Sequence, residues 1–289
     1  MRDMWRWFVL AAAWVLGGVL AVQVYRQTAA APATPQVEGR SALLHPVAED
    51  IPLDAPERWI AHGGGVGRLV YTNCEEAVRD SLARGFHFVE LDLLETRDGH
   101  LVGGHSWKEL KAHLGAMDCS ESPMTRADIE ALRGSWSYTP LFAEGICRLL
   151  QEHPHMVLVT DKTQNFDLLR RTVPYPERMI VEAVTHADYQ RAVAAGFPHV
   201  ALTAYTMEQL AVAEKHGLAG VVLGAWLLEL DPFSAPIIRK LRAAGCCIMV
   251  HGSTICDKPD FVHAYLGNTV DRIYTDTWSP QNIPPRPGK

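Results

Sequence analysis

The chain has 289 residues, of which 48% are hydrophobic and 21% charged, with a formal net charge of −6. That is ordinary globular composition, with apolar material for a large core that folds without a metal or disulfide staple. The negative balance and the lack of a basic cluster argue against a nucleic-acid partner. The six cysteines, Cys74, Cys119, Cys147, Cys246, Cys247 and Cys256, follow no zinc or redox spacing. Cys246 and Cys247 read as small core residues, and a Cys119–Cys147 bridge stays open for an oxidising compartment.

Residues 7–25 are almost wholly apolar, with Arg2 and Arg6 before them and Arg26 after. This meets the length of a spanning helix, for which about 17 residues is the lower limit. A secretory signal core is shorter, about 7–15 residues. Residues 1–27 are therefore expected to form an N-terminal transmembrane helix that anchors the protein. The leading arginines keep the N-terminus cytoplasmic, so the body is exported to a periplasmic or extracytoplasmic space. Cleavage at Ala29, Ala30 or Ala31 would instead release it as a secreted protein. Residues 28–53, rich in Ala, Pro and Thr, read as a linker, and residues 54–289 as the folded domain.

Within that domain, short apolar runs alternate with amphipathic segments. The predicted strands are 59–61, 87–93, 156–160, 178–184, 199–204, 220–225, 246–250 and 272–275. They are continuous apolar runs, as expected of parallel strands covered by helices. The predicted helices are 73–84, 141–152, 187–195, 207–215, 235–244 and 258–266, four of them closed by Gly85, Gly196, Gly217 and Gly245. Eight strand–helix units imply an α/β fold, the closed (β/α)8 TIM barrel, for which about 250 residues suffice. A doubly wound open sheet is the competing architecture. The longest insert, 95–138, is expected to form a hairpin at 101–105 and a small lid.

Barrel sites form where the strands end. Here those ends carry His62, Glu90 and Asp92, Asp161 and Lys162, Glu182, Tyr205, Trp226, His251 and Asp276. Glu90 and Asp92 lie two apart on one strand, so they face the same way. Paired carboxylates in an apolar setting need a neutralising partner, and a hard divalent cation, Ca2+ or Mg2+, suits oxygen ligands. His62, followed by three glycines, and His105, preceded by two, can supply a general base and a general acid near neutral pH.

The order His62-Gly63, Asn73, Glu90-Leu91-Asp92, Thr96-Arg97-Asp98-Gly99-His100-Leu101-Val102 and His105 resembles the glycerophosphodiester phosphodiesterase family. Residues 270–276 are similar to that family's last strand. The wider superfamily, with phosphatidylinositol phospholipases C and sphingomyelinase-D-like enzymes, shares the barrel. The resemblance covers about residues 59–280. It implies metal-assisted attack on a phosphodiester by a neighbouring hydroxyl of the substrate, giving a cyclic phosphate that water can open. His62 and His105 would be acid and base, in an order left open, and Glu90 and Asp92 metal ligands. The substrate would be a small phosphodiester or a lipid headgroup.

Three departures stand against the family pattern. Gly63 replaces an arginine that contacts phosphate, with Arg68 the nearby cation that could substitute. Thr72 replaces an acid. The third strand ends Thr160-Asp161-Lys162, where the family has an acid and a lysine on one face. Strict alternation then pairs Thr160 with Lys162 and turns Asp161 away, unless a bulge lets Asp161 in as third metal ligand. Glu182 is the alternative ligand. Lys162 is a candidate for phosphate charge, and Glu182, Tyr205, Trp226 and His251 for substrate contact. The activities compatible with these residues are a glycerophosphodiester hydrolase, a phospholipase-type or cyclising phosphodiesterase, and a barrel that binds a ligand without catalysis.

Overall fold

Short apolar runs, mostly of four or five residues, pair side by side as parallel strands with both faces buried. In the computed structural model, which describes residues 42–132, 138–229 and 232–286, they are β1 (Trp59–Ala61), β2 (Phe88–Glu95), β4 (Val157–Asp161), β5 (Met179–Ala183), β6 (Val200–Ala204), β7 (Gly220–Gly224), β8 (Cys247–His251) and β9 (Arg272–Thr275). β1 pairs with both β2 and β9, so the eight parallel strands close on themselves. This excludes the doubly wound sheet. β3 (Leu101–Gly103) runs antiparallel along the end of β2, forming the hairpin expected in the insert.

Strand alternation divides the core in two. Ile60, Phe88, Val157, Val159, Ile180, Ala201, Val222, Met249 and Tyr274 pack together inside the barrel. Val89, Leu91, Leu158, Val181, Leu202, Val221, Leu223, Ile248 and Val250 pack outward, in one core with residues of the helices. These helices are α1 (Glu75–Ala83), α2 (Trp107–His113), α3 (Arg126–Leu132), α4 (Ala143–Glu152), α5 (Phe166–Thr172), α6 (His186–Ala194), α7 (Met207–His216), α8 (Trp226–Glu229), α9 (Ala235–Ala243), α10 (Ser253–Cys256) and α11 (Pro259–Tyr265). Their starts follow local chemistry: Thr206 and Gln209 form a capping box on α7, and Thr185 caps α6. α1 begins two residues later than expected, because Asn73 takes φ +51° and Cys74 is the cap. α5, absent from the sequence reading, is capped by Asn165. In the insert, α2 and α3 enclose a small core of Trp107, Leu110, Leu114, Met124 and Ile129. All six cysteines are free thiols.

The linker ends earlier than residue 53. Leu44 is buried and joins the interior core at the start of β7, where a Cβ on Gly220 would lie 2.9 Å from its side chain. The Val47 N–H donates to Asp271 Oδ1 at 2.9 Å, and Arg58 donates to the Ala48 and Ile51 carbonyls. An Ala/Pro/Thr-rich composition hid a segment whose few apolar side chains seal the closed end of the barrel. The expected anchor at residues 7–25 lies outside the described residues. Among the described residues no helix is long and apolar enough to cross a membrane. Leu44→Ala is expected to lower the unfolding free energy by about 2–5 kcal/mol, measured by urea denaturation; an unchanged midpoint would return this segment to the role of spacer.

Candidate active site

At the open end of the barrel, β2 and β4 bring three carboxylates together. Glu90 and Asp92 follow Phe88 on the inward face of β2, and Asp92 stands directly opposite Asp161 of β4. One oxygen from each of Glu90, Asp92 and Asp161 lies within 4.8 Å of the others. Each is held differently. Glu90 accepts the Gly63 N–H at 2.7 Å. Asp92 accepts from the Asn73 side-chain amide at 3.0 Å, while its own N–H donates to Asn73 Oδ1 at 2.9 Å. Asp161 Oδ1 is buried with no hydrogen-bond partner. Burial, then the charges of Asp92 and Asp161, push the Glu90 carboxyl well above the ordinary range. Burial, then Asp92 and Glu182, do the same to Asp161. Lys162 Nζ lies 3.4 Å from Asp92 and 3.5 Å from Asp161. Burial opposes its charge, but Asp161 and Asp92 outweigh that and raise the ammonium above its ordinary value.

The expected alternation at Thr160-Asp161-Lys162 is reversed. Asp161 is inward by plain alternation with Val157 and Val159, and no bulge is needed. Thr160 points outward and donates to the Leu91 carbonyl. Lys162 is the residue that breaks the pattern, because the strand ends there in a left-handed turn with φ +63°. Glu182 does not join the trio. Its two oxygens accept from Thr203 at 2.8 Å and from the Tyr274 hydroxyl, and burial raises its pKa in spite of both bonds.

The two histidines each pair Nδ1 with a carboxylate. His62 Nδ1 lies 2.9 Å from Asp276 Oδ1, and His105 Nδ1 lies 3.0 Å from Glu109 Oε2. A carboxylate can only accept, so Nδ1 carries a proton in each, and Nε2 is the atom left to take up or give one: a free base in the neutral ring, a donor in the imidazolium. His62 Nε2 is 3.0 Å from the hydroxyl of Tyr71, which donates to it. Gly63 has φ +54°, and a Cβ there would stand 2.7 Å from Tyr71 Cα, so no side chain fits after His62. Arg68 is solvent-exposed and does not line the cavity, so it is no substitute for the missing arginine. Tyr71, Asn73 and Lys162 are the non-glycine residues with positive φ among those described, and all three touch this site. Such backbone strain persists where surrounding structure enforces it.

Tyr205 and Trp226 stack at 5.8 Å, and His251 meets both rings edge-on. The Trp226 indole N–H donates to the Tyr205 carbonyl. Burial, then the positive surroundings of His62 and Lys162, lower His251 to about 4, so its ring is neutral near pH 7. Its Nε2 is buried without a partner. A cavity of about 150 Å3 gathers His62, His105, Glu90, Asp92, Asp161, Lys162, Glu182, Tyr205 and His251, whereas Arg68 and Trp226, the latter stacked on Tyr205, do not line it. Tyr71 and Tyr274 also line it. Neither is legible in sequence, since one sits in an irregular loop and the other looks like any apolar strand residue.

The crowded, partly unsatisfied oxygens fit a hard divalent cation. Because Glu90 and Asp161 have raised pKa values, protons compete with such an ion. Calcium or magnesium is expected to bind more tightly at pH 7.5 than at pH 5.5, with proton release, and Asp161→Asn is expected to weaken it by about tenfold or more. Titration calorimetry in two buffers reads both effects, and pH-independent affinity would remove these carboxylates from the ion's site.

No family model matches the sequence, and no curated protein does. Solved structures match across most of the chain. A glycerophosphodiester phosphodiesterase from Thermotoga maritima is 17% identical, with a TM-score of 0.63 over 75% of this chain and 93% of its own. One from Agrobacterium tumefaciens is 18% identical, with a TM-score of 0.59 over 78% and 97%. An Oleispira antarctica phosphodiesterase, solved with its product sn-glycerol-3-phosphate, is 13% identical, with a TM-score of 0.57 over 78% and 94%. The shared feature at this level of identity is the fold: the chain has the barrel on which these phosphodiesterases are built.

Proposed function

We propose that the protein is a metal-dependent phosphodiester hydrolase acting on glycerophosphodiesters or related lipid headgroups. The observation that carries this reading is the shared cavity, in which two carboxylate-paired histidines face three clustered carboxylates and one lysine. The solved phosphodiesterases with this barrel add support, one of them holding a glycerol phosphate. The order of motifs from His62 to His105, and residues 270–276, point to the same family.

Glu90, Asp92 and Asp161 would hold the ion, Ca2+ or Mg2+. When bound, such an ion supplies charge to a phosphoryl oxygen. The protein's own groups do the rest. Lys162 offers a point charge for the phosphate. His62, whose Nδ1–H is fixed by Asp276, is the base for the attacking hydroxyl, and His105 is the acid for the leaving oxygen. Tyr205 and the neutral His251 form an aromatic wall, backed by the stacked Trp226 ring, against which the substrate's alcohol group can lie. The apolar segment 7–25 would anchor the exported barrel to its membrane, a role supported by its length and flanking arginines.

The test is turnover of a panel of glycerophosphodiesters by the wild type with calcium, magnesium or chelator, beside His62→Ala and Glu90→Ala. Metal-dependent hydrolysis is expected, reduced about 100-fold or more in the histidine variant and abolished in the carboxylate variant. A folded wild type that turns over no member of the panel, with any metal, would contradict the reading.

A further inference from the structure

Tyr71 belongs to no motif, yet it is the residue against which both histidines lie. Its hydroxyl is 3.0 Å from His62 Nε2, and its ring meets His62 edge-on at 4.4 Å and His105 at 5.3 Å. It holds φ +59°, a conformation that is strained for a bulky side chain. The surroundings are built to keep it there. Gly63 gives up its side chain to the Tyr71 backbone, and the Asn73 N–H closes the turn onto the Gly63 carbonyl at 2.9 Å. A tyrosine wedged between two rings on a strained backbone cannot swing aside freely.

His62 can exchange a proton with substrate only through Nε2, because Nδ1 is committed to Asp276. Nε2 has one lone pair, and in this structure that lone pair accepts the Tyr71 hydroxyl. A nucleophile in the cavity, which both residues line, can therefore pass a proton to that lone pair only through Tyr71 Oη or by displacing it.

Building on the phosphodiesterase reading, we propose that Tyr71 is a catalytic residue that relays the proton between the attacking oxygen and His62. As the attacking oxygen bonds to phosphorus, its proton passes to Tyr71 Oη while the Tyr71 proton passes to His62 Nε2. Tyr71 stays neutral, and His62 becomes an imidazolium paired with Asp276. The bond from phosphorus to the leaving oxygen breaks, and that oxygen takes the Nε2 proton of His105, which enters the step as an imidazolium with Nδ1–H on Glu109 and leaves it as the neutral ring. Charge and protons balance, and no further reactant is needed.

The experiment compares wild type, Tyr71→Phe, His62→Ala and the double variant on a glycerophosphodiester, with circular dichroism to verify folding. Phenylalanine keeps the ring between the histidines and removes only the hydroxyl. The kcat of Tyr71→Phe is expected to fall about 100-fold, with KM within about twofold of wild type. The double variant is expected to be no slower than His62→Ala, because the two groups act on one proton. A wild-type kcat in Tyr71→Phe would overturn the relay and leave the hydroxyl as a cap on His62. Losses that multiply in the double variant would overturn it too, by making Tyr71 independent of His62. Both results leave the phosphodiesterase reading standing, whereas a wild type without turnover would overturn both.

Discussion

Everything at the open end of this barrel depends on three carboxylates that repel one another in a nearly dry place. Glu90, Asp92 and Asp161 converge within 4.8 Å with one ammonium, Lys162, at 3.4–3.5 Å from two of them. Removing carboxylates from water is costly unless each finds a counter-charge or donors. The donors present, Gly63 and Asn73, satisfy Glu90 and Asp92 in part, and Asp161 keeps a bare oxygen. With all four groups ionised, three carboxylates against one ammonium leave two negative charges in excess, an imbalance that suits a divalent cation.

The fold's task is to hold that arrangement against its own repulsion. The β2–β4 register fixes Asp92 opposite Asp161, and closure of the sheet through β1 and β9 sets His62 and Asp276 side by side. Both depend on a closed end plugged by Leu44, where the buried Asp271 carboxylate accepts from Val47 and Ile248. The strain is confined to the other end, at Tyr71, Asn73 and Lys162. Stability and chemistry thus occupy opposite ends of the same strands, as the barrel architecture favours.

The periodic parts of this organisation are legible in the sequence. Eight apolar runs give eight strands, and the two-residue spacing of Glu90 and Asp92 puts both on one face, which in the structure is the inward one. The parts that rest on single dihedral angles are not. Counting inward from Lys162 puts Asp161 on the wrong face; counting outward from Val157 and Val159 puts it on the right one, and only the turn at Lys162 reconciles the two. Tyr71 follows a glycine-rich loop with no periodicity to read. Its role depends on a positive φ and on a missing side chain at Gly63, features that a sequence records only as a glycine. Leu44 and Val47 were hidden by the proline- and alanine-rich stretch around them. Glu182 stood out as an acid in an apolar strand, and it does face inward. Its partner Thr203 lies on the adjacent strand β6, but Tyr274 lies on β9, which reaches Glu182 only across the interior of the closed barrel.

The most direct measurement is a crystal of the barrel soaked in manganese and sn-glycerol 3-phosphate, with anomalous scattering used to locate the metal. The account predicts one peak among the Glu90, Asp92 and Asp161 carboxylates, with the phosphate between it and Lys162. A metal-free trio, with the Lys162 ammonium drawn into its centre as the sole counter-charge, would contradict it.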